Sequence, residues 1–292
     1  IRRQRQMCIR DRLEASGLAS RMVDGQLRVL VVGDRSAHVG IAVVDPGEGL
    51  GSWGTLDLST LDGWPNSGAD SQFEAIAADG GHIVAVMSED PPVILVGDTR
   101  TRSLRARINL AAPAGSPLHG KWDDPSSRGE GMVLLRNSRL LVAKGKHPRA
   151  LVEFCPTGTA AQGISADDFI GPDEEWDPPV GEVDYVATSM WRLRHHAKKA
   201  LHDISALGVG PDRSLWLLSD KSHAVGRLAT STTTRPICVS LGGAALSATA
   251  AMRGGPSRSP GRRKASSSTA KRLASVAILA SLRWRRWRLC RR

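Results

Sequence analysis

Three acids stand at the head of short apolar runs: Glu74 before Ala75–Ala77, Glu130 before Gly131–Val133, and Asp203 before Ile204–Leu207, with Glu14 in a weaker fourth copy. Their spacing to the next polar position is similar. Glu74 precedes Glu89 by 15 residues, Glu130 precedes Lys144 by 14, and Asp203 precedes Asp220 by 17. If each run is the innermost strand of a repeated unit, the carboxylates converge on one axis. Facing carboxylates repel unless a cation neutralises them, and a set of oxygen ligands alone suits Ca²⁺. Glu74, Glu130 and Asp203 are therefore candidate metal ligands. The structural alternative is that each acid accepts hydrogen bonds from backbone N–H groups of the neighbouring unit, and it stays open at this stage.

A second set, Asp34, Glu89, Lys144 and Asp220, closes the following apolar run in each unit and forms the candidate ligand-binding ring. Lys146 and His147 add positive charge beside Lys144, which suits an anionic group; solvated loop charges are the plainer reading. Other chemistry is poorly supported. The acid-rich stretch from Asp167 to Asp177 lacks the D-x-[DN]-x-[DN]-G spacing of a calcium loop. His195, His196 and His202 sit among lysines, which oppose a zinc ion. Gly208 and Gly210 lead into no helix, so they form no dinucleotide loop, and no Gly-x-Ser-x-Gly elbow occurs. Cys155 is the one cysteine away from the ends and reads as a small buried residue, with no disulfide framework or zinc pattern around it.

The elements that must position these residues are strands. Four segments share one pattern: a short apolar strand, a tight turn, a longer apolar strand ending at a polar residue, a polar loop, and a third strand. The turns are Asp24 and Gly25, Asp79 to Gly81, Asn137 and Ser138, and Pro211 and Asp212, all residue types suited to hairpins. The strands are rich in Val, Ile and Leu. A weakly patterned stretch at Arg100–Leu110 fits a solvated outer strand, and only Trp191–Leu201 looks mildly helical. Repetition of such units every 56–73 residues or so predicts the blades of an all-β propeller.

The residues Glu130 and Gly131, the run Leu140–Lys144, Pro148, then Asp203–Leu207 and Leu215–Ser222 together resemble the SdiA-regulated family of bacterial β-propellers. The resemblance spans roughly residues 14–228. It implies a six-bladed propeller, with a further Glu-Gly blade expected after the fourth unit.

Charge divides the chain in three. Residues 1–12 carry five Arg and one Asp, a net of +4. Residues 13–229 carry 21 basic and 28 acidic residues, a net of −7, and residues 230–292 carry 14 basic residues and no acid, a net of +14. The overall +11 thus misrepresents the blades, which are acidic and offer no nucleic-acid face. About seven acids are expected in the last segment at ordinary usage. It reads as a GC-rich gene translated out of frame, or else as a basic low-complexity tail. The first twelve residues resemble adapter read-through, so that the true N-terminus and any leader would lie outside the sequence. The expected domains are therefore an artefactual 1–12, blades over 13–229 in an incomplete propeller, and the tail 230–292. The compartment stays open.

Taken together, these readings predict a monomeric propeller, without a transmembrane segment, that binds a small ligand, calcium or a protein partner on one face without catalysis. The alternative is a calcium-dependent hydrolase of the lactonase or phytase/esterase propeller type, with the channel acids holding a Lewis-acid metal.

Overall fold

The computed structural model describes residues 15–34, 36–65, 72–122, 124, 127–193, 200–210, 212–229 and 238–240. The chain folds as an all-β propeller, and the described residues supply four blades, each a four-stranded antiparallel meander. Blade 1 contains β1 (Ala15–Val23), β2 (Gln26–Gly33), β3 (His38–Asp45) and β4 (Gly49–Asp57). Blade 2 contains β5 (Phe73–Ala78), β6 (Ile83–Ser88), β7 (Val93–Asp98) and β8 (Ser103–Ala111). Blade 3 contains β9 (Gly131–Leu135), β10 (Arg139–Lys144), β11 (Ala150–Pro156) and β12 (Gly181–Arg192). Blade 4 contains β13 (Ala206–Val209), β14 (Leu215–Ser219), β15 (Ala224–Ala229) and β16 (Cys238–Ser240). The backbone of 238–240 thus pairs with β15 as an outer strand, past the boundary at 229 that the sequence suggests. The rest of the tail and residues 1–14 lie outside the described residues. No helix here is long and apolar enough to cross a membrane, among the described residues.

The turn residues explain the hairpins. Asp24 and Gly25 have φ of 52° and 71°, and Asn137 and Ser138 have φ of 60° and 55°. Two successive positive φ values match the twist of the flanking strands, and Asp, Asn and Gly reach them at little cost. The stretch that looks mildly helical begins instead as the end of β12, because Leu151 and Ala150 of β11 pair with Trp191 and Arg192.

Inner and middle strands are apolar without alternation, since each is covered on both faces by neighbouring blades. β6, β7, β9 and β10 are buried along almost their whole length. Blades 1 and 2 enclose Leu30, Val32, Phe73, Val84 and Val86. Blades 2 and 3 enclose Met87, Ile94, Met132, Leu140 and Phe154, and blades 3 and 4 enclose Leu141, Leu151, Leu207 and Leu217. At the axis the inner strands come so close that a Cβ at Gly131 would strike the backbone of Ala206 and Leu207. Leu18, Ile76, Met132 and Leu207, one from each inner strand, line the narrow channel between them. One feature departs from separate blades. The outer strands β8 and β12 pair in parallel, from Ala106 with Gly181 to Ala111 with Val186, and fuse blades 2 and 3 into one eight-stranded sheet.

Candidate functional site

The channel has two ends. The tight hairpins between first and second strands gather at one, and the acids that open the first strands lie at the other. Register fixes which of those acids are equivalent. Gly17 pairs with Val32, Ala75 with Met87, Gly131 with Ala143, and Ala206 with Leu218. The residues just before Gly17, Ala75, Gly131 and Ala206 are Ser16, Glu74, Glu130 and Ser205. Glu74 and Glu130 therefore correspond, and Asp203 stands two residues earlier than its supposed counterparts. Ser16 and Glu74 lie where the pairing register shifts, at a bulge, and a bulge re-aims the side chain it carries.

Asp203 is buried and tied within its own blade. Its Oδ1 accepts from Ser219 Oγ at 2.5 Å and from the Lys221 N–H at 3.3 Å, while Oδ2 accepts from Ser205 Oγ at 2.9 Å. This is a latch, made to the same blade rather than to the next one. Among the described residues there is no group of three or more His, Cys, Asp or Glu side chains placed to hold a metal ion. Glu74, Glu130 and Asp203 are therefore not gathered at one point. His195 and His196 lie outside the described residues.

The same register corrects the second set. Asp34, Glu89 and Asp220 each follow directly on the last residue of β2, β6 and β14, and all three are half-buried. The matching position in blade 3 is Gly145. Lys144 is the last residue of β10 itself and is fully buried, with Nζ donating to Ser127 Oγ at 2.5 Å. Burial pulls the Lys144 ammonium below its ordinary range, opposed by Asp124, Glu130 and Glu89. A lysine of depressed pKa beside a serine hydroxyl is the pairing that activates a nucleophile. Here both residues are 0% exposed, so no substrate carbonyl can reach the hydroxyl.

The structure does bring Glu89, Glu130 and Lys144 together at the junction of blades 2 and 3, and adds Asp124 and Arg128, which sequence reasoning passed over. Both added residues lie in the connection between β8 and β12's blade, where no repeat pattern flags them. Arg128 stacks over Trp122 at 5.9 Å, and its Nη1 lies 4.0 Å from Asp90. The Glu89 carboxyl is pushed up to about 7, first by burial, then by the charge of Glu130; the Arg128 N–H and guanidinium oppose the shift, and Asp124 adds to it. Acids outnumber cations in this group: Glu89, Glu130 and Asp124, with Asp90 beside Arg128, face Lys144 and Arg128. The arrangement can hold a proton or bind one positive charge. The Glu89–Glu130 pair crosses from one blade to the next, so any ligand between them bridges two blades.

No family model and no curated protein matches the chain. Solved structures similar to it include a protein of unknown function from Bacteroides caccae, with TM-score 0.39 and 10% identity over 78% of this chain and 61% of that one. Another is a catalytically inactive H270A virginiamycin B lyase from Staphylococcus aureus with quinupristin, with TM-score 0.37 and 11% identity over 77% of this chain and 54% of that one. A third is Hsv2 from Kluyveromyces lactis, with TM-score 0.33 and 11% identity over 76% of this chain and 60% of that one. The chain thus spans less than two thirds of the length of each.

Proposed function

We propose that the protein is a ligand-binding propeller of the SdiA-regulated kind, without catalysis of its own, whose binding mouth is the junction of blades 2 and 3. The ligand is a small cation, an organic ammonium group or a Ca²⁺ ion; since no three acids among the described residues are placed to hold a metal by themselves, Ca²⁺ would need backbone carbonyl and water oxygens as well. One observation carries this reading: Glu89 and Glu130 come from adjacent blades and act on each other across their junction, with Asp124 beside them and with Lys144 and Arg128 as the nearby cations. A cation placed there offsets the two causes that raise the Glu89 carboxyl to about 7, its burial and then the charge of Glu130. The fully buried Ser127–Lys144 pair supports binding over nucleophilic catalysis.

A second reading, a calcium-dependent hydrolase of the lactonase or phytase/esterase type, draws on the same acids. It is favoured by the Glu89 value, since a carboxylate near 7 is matched to general-base work at neutral pH.

Calorimetric titration of the full chain with calcium chloride, and separately with tetramethylammonium chloride, tests the proposal at pH 7. Binding of one of them, with an enthalpy that depends on buffer because Glu89 releases its proton, is the expected result. E89Q and E130Q should each abolish the heat. Absence of heat for both cations overturns the binding proposal, and calcium-dependent release of product from a lactone or phosphate ester would establish the hydrolase instead.

A further inference from the structure

The acid-rich segment between β11 and β12 serves no ligand in the reading above, yet it touches each of the four described blades. Residues 169–176 leave blade 3 at the hairpin end of the channel and cross it. The Met22 N–H of blade 1 donates to Pro172 O at 2.6 Å, and the Gly80 N–H of blade 2 donates to Glu174 O at 2.7 Å. In blade 3 the Ile170 N–H donates to Leu134 O at 3.2 Å and Trp176 Nε1 donates to Leu135 O at 2.9 Å. The Glu174 carboxylate accepts from Arg136 Nη2 of blade 3 at 3.0 Å and from Arg213 Nη2 in the blade 4 hairpin.

The fit is close. A Cβ on Gly80 would run into the backbone of Asp173 and Glu174, so only glycine lets the segment lie this near. Asp79 is 1% exposed and anchors the far end: its Oδ1 accepts the Gly81 and Ile83 N–H groups, and its Oδ2 accepts the Trp176 N–H at 3.1 Å. Ile170 and Pro172 lie over the channel, in contact with the space lined by the four inner strands.

We propose that residues 169–176 are a built-in staple, which closes the hairpin end of the channel and locks blades 1, 2 and 4 onto blade 3. A solenoid-like array is held only by contacts between neighbours. The staple adds a link between blades that are not neighbours, and it leaves the acid-bearing end as the open face. The inference does not depend on the ligand proposed above.

Hydrogen exchange read by mass spectrometry on the full chain tests it, with E174Q, R213Q and G80A. In E174Q, the amides of Met22 and Gly80 should exchange at least about threefold faster, although Glu174's side chain touches neither, while β6 and β10 keep their protection. R213Q should speed exchange of the blade 4 hairpin without changing Met22. G80A should release the whole segment and expose the amides of Met22, residue 80 and Trp176 together. Faster exchange confined to 167–177 in all three variants, with Met22 and the blade 4 hairpin unchanged, overturns the staple. So does an unchanged profile in E174Q and R213Q, whatever G80A does to folding. Ligand titrations of G80A separate the two proposals, because release of the staple leaves Glu89 and Glu130 in place.

Discussion

At the scale of single residues, the most informative group is Glu89. Its folded-state pKa of about 7 stands above the ordinary 4.5. A carboxyl raised on folding binds more protons in the native state than in the unfolded one, so stability falls as pH rises across that interval. Below about pH 4.5 both states are protonated and the penalty is absent. It grows between 4.5 and 7 and is constant above. Glutamine imitates the protonated acid. E89Q should therefore be more stable than the parent at pH 8, by on the order of 1 kcal/mol once solvent screening of a half-buried group is allowed for, and equal to it at pH 4. Denaturant melts at the two pH values check this; an equal gain at both pH values would show that packing, not ionisation, is responsible. Lys144 carries a different lesson. The sequence places it among polar residues that close an apolar run, because the run Leu140–Ala143 ends there. Register places it inside the strand, and the one-residue offset turns its side chain inward toward Ser127. Alternation cannot reveal this where both faces of the strand are buried.

At the scale of elements, the hairpins and blade strands were legible because their turn residues and apolar runs are local signals. Asp24 and Gly25 announce a turn without help from the rest of the fold. The parallel pairing of β8 with β12 was not legible, since it joins residues 75 apart through a connection with no repeat. Neither was the ion cluster inside blade 3. Arg139 of β10 and Glu153 of β11 are both 0% exposed, and their side chains meet at 2.6 Å; Arg139 also reaches Asp168 and the Gly163 carbonyl at 2.7 Å. Buried charges of this kind look like surface charges in a sequence. Removing one partner strands the other. R139A should cost about 3–5 kcal/mol, whereas the double change R139L/E153L should cost much less, because desolvation of the pair roughly offsets its attraction. A double-mutant cycle from urea melts measures the difference, and additive losses would show that the two side chains do not depend on each other.

At the scale of the whole molecule, the blades are unequal. A repeat array gains stability from each unit and from each interface between neighbours. Blades 2 and 3 have the ordinary interface, with the most extensive apolar cluster among the described residues, running from Ala75 to Ala187. They also share the β8–β12 ladder, whose solvent side is tied by Asn109 Nδ2 to Glu182 at 3.1 Å and to Asp184 at 3.0 Å. Blade 1 ends in β4, all nine of whose residues are exposed or half-buried, and its outer cluster of Val29, Val31 and Val44 is small. Blade 4 ends in a three-residue strand. Opening should then proceed from blades 1 and 4 inward. Native-state hydrogen exchange in increasing denaturant should show β6, β7, β10 and β11 exchanging only through the largest opening, while β3, β4 and β15 exchange through smaller ones. The ladder predicts more than this ordering. Because β8 and β12 are outer strands, they would normally be among the first to fray in a blade. Here their amides should be protected nearly as well as those of β7 and β11. Exchange of β8 and β12 at the rate of β4 would show that the parallel ladder adds no stability and that blades 2 and 3 open as separate units.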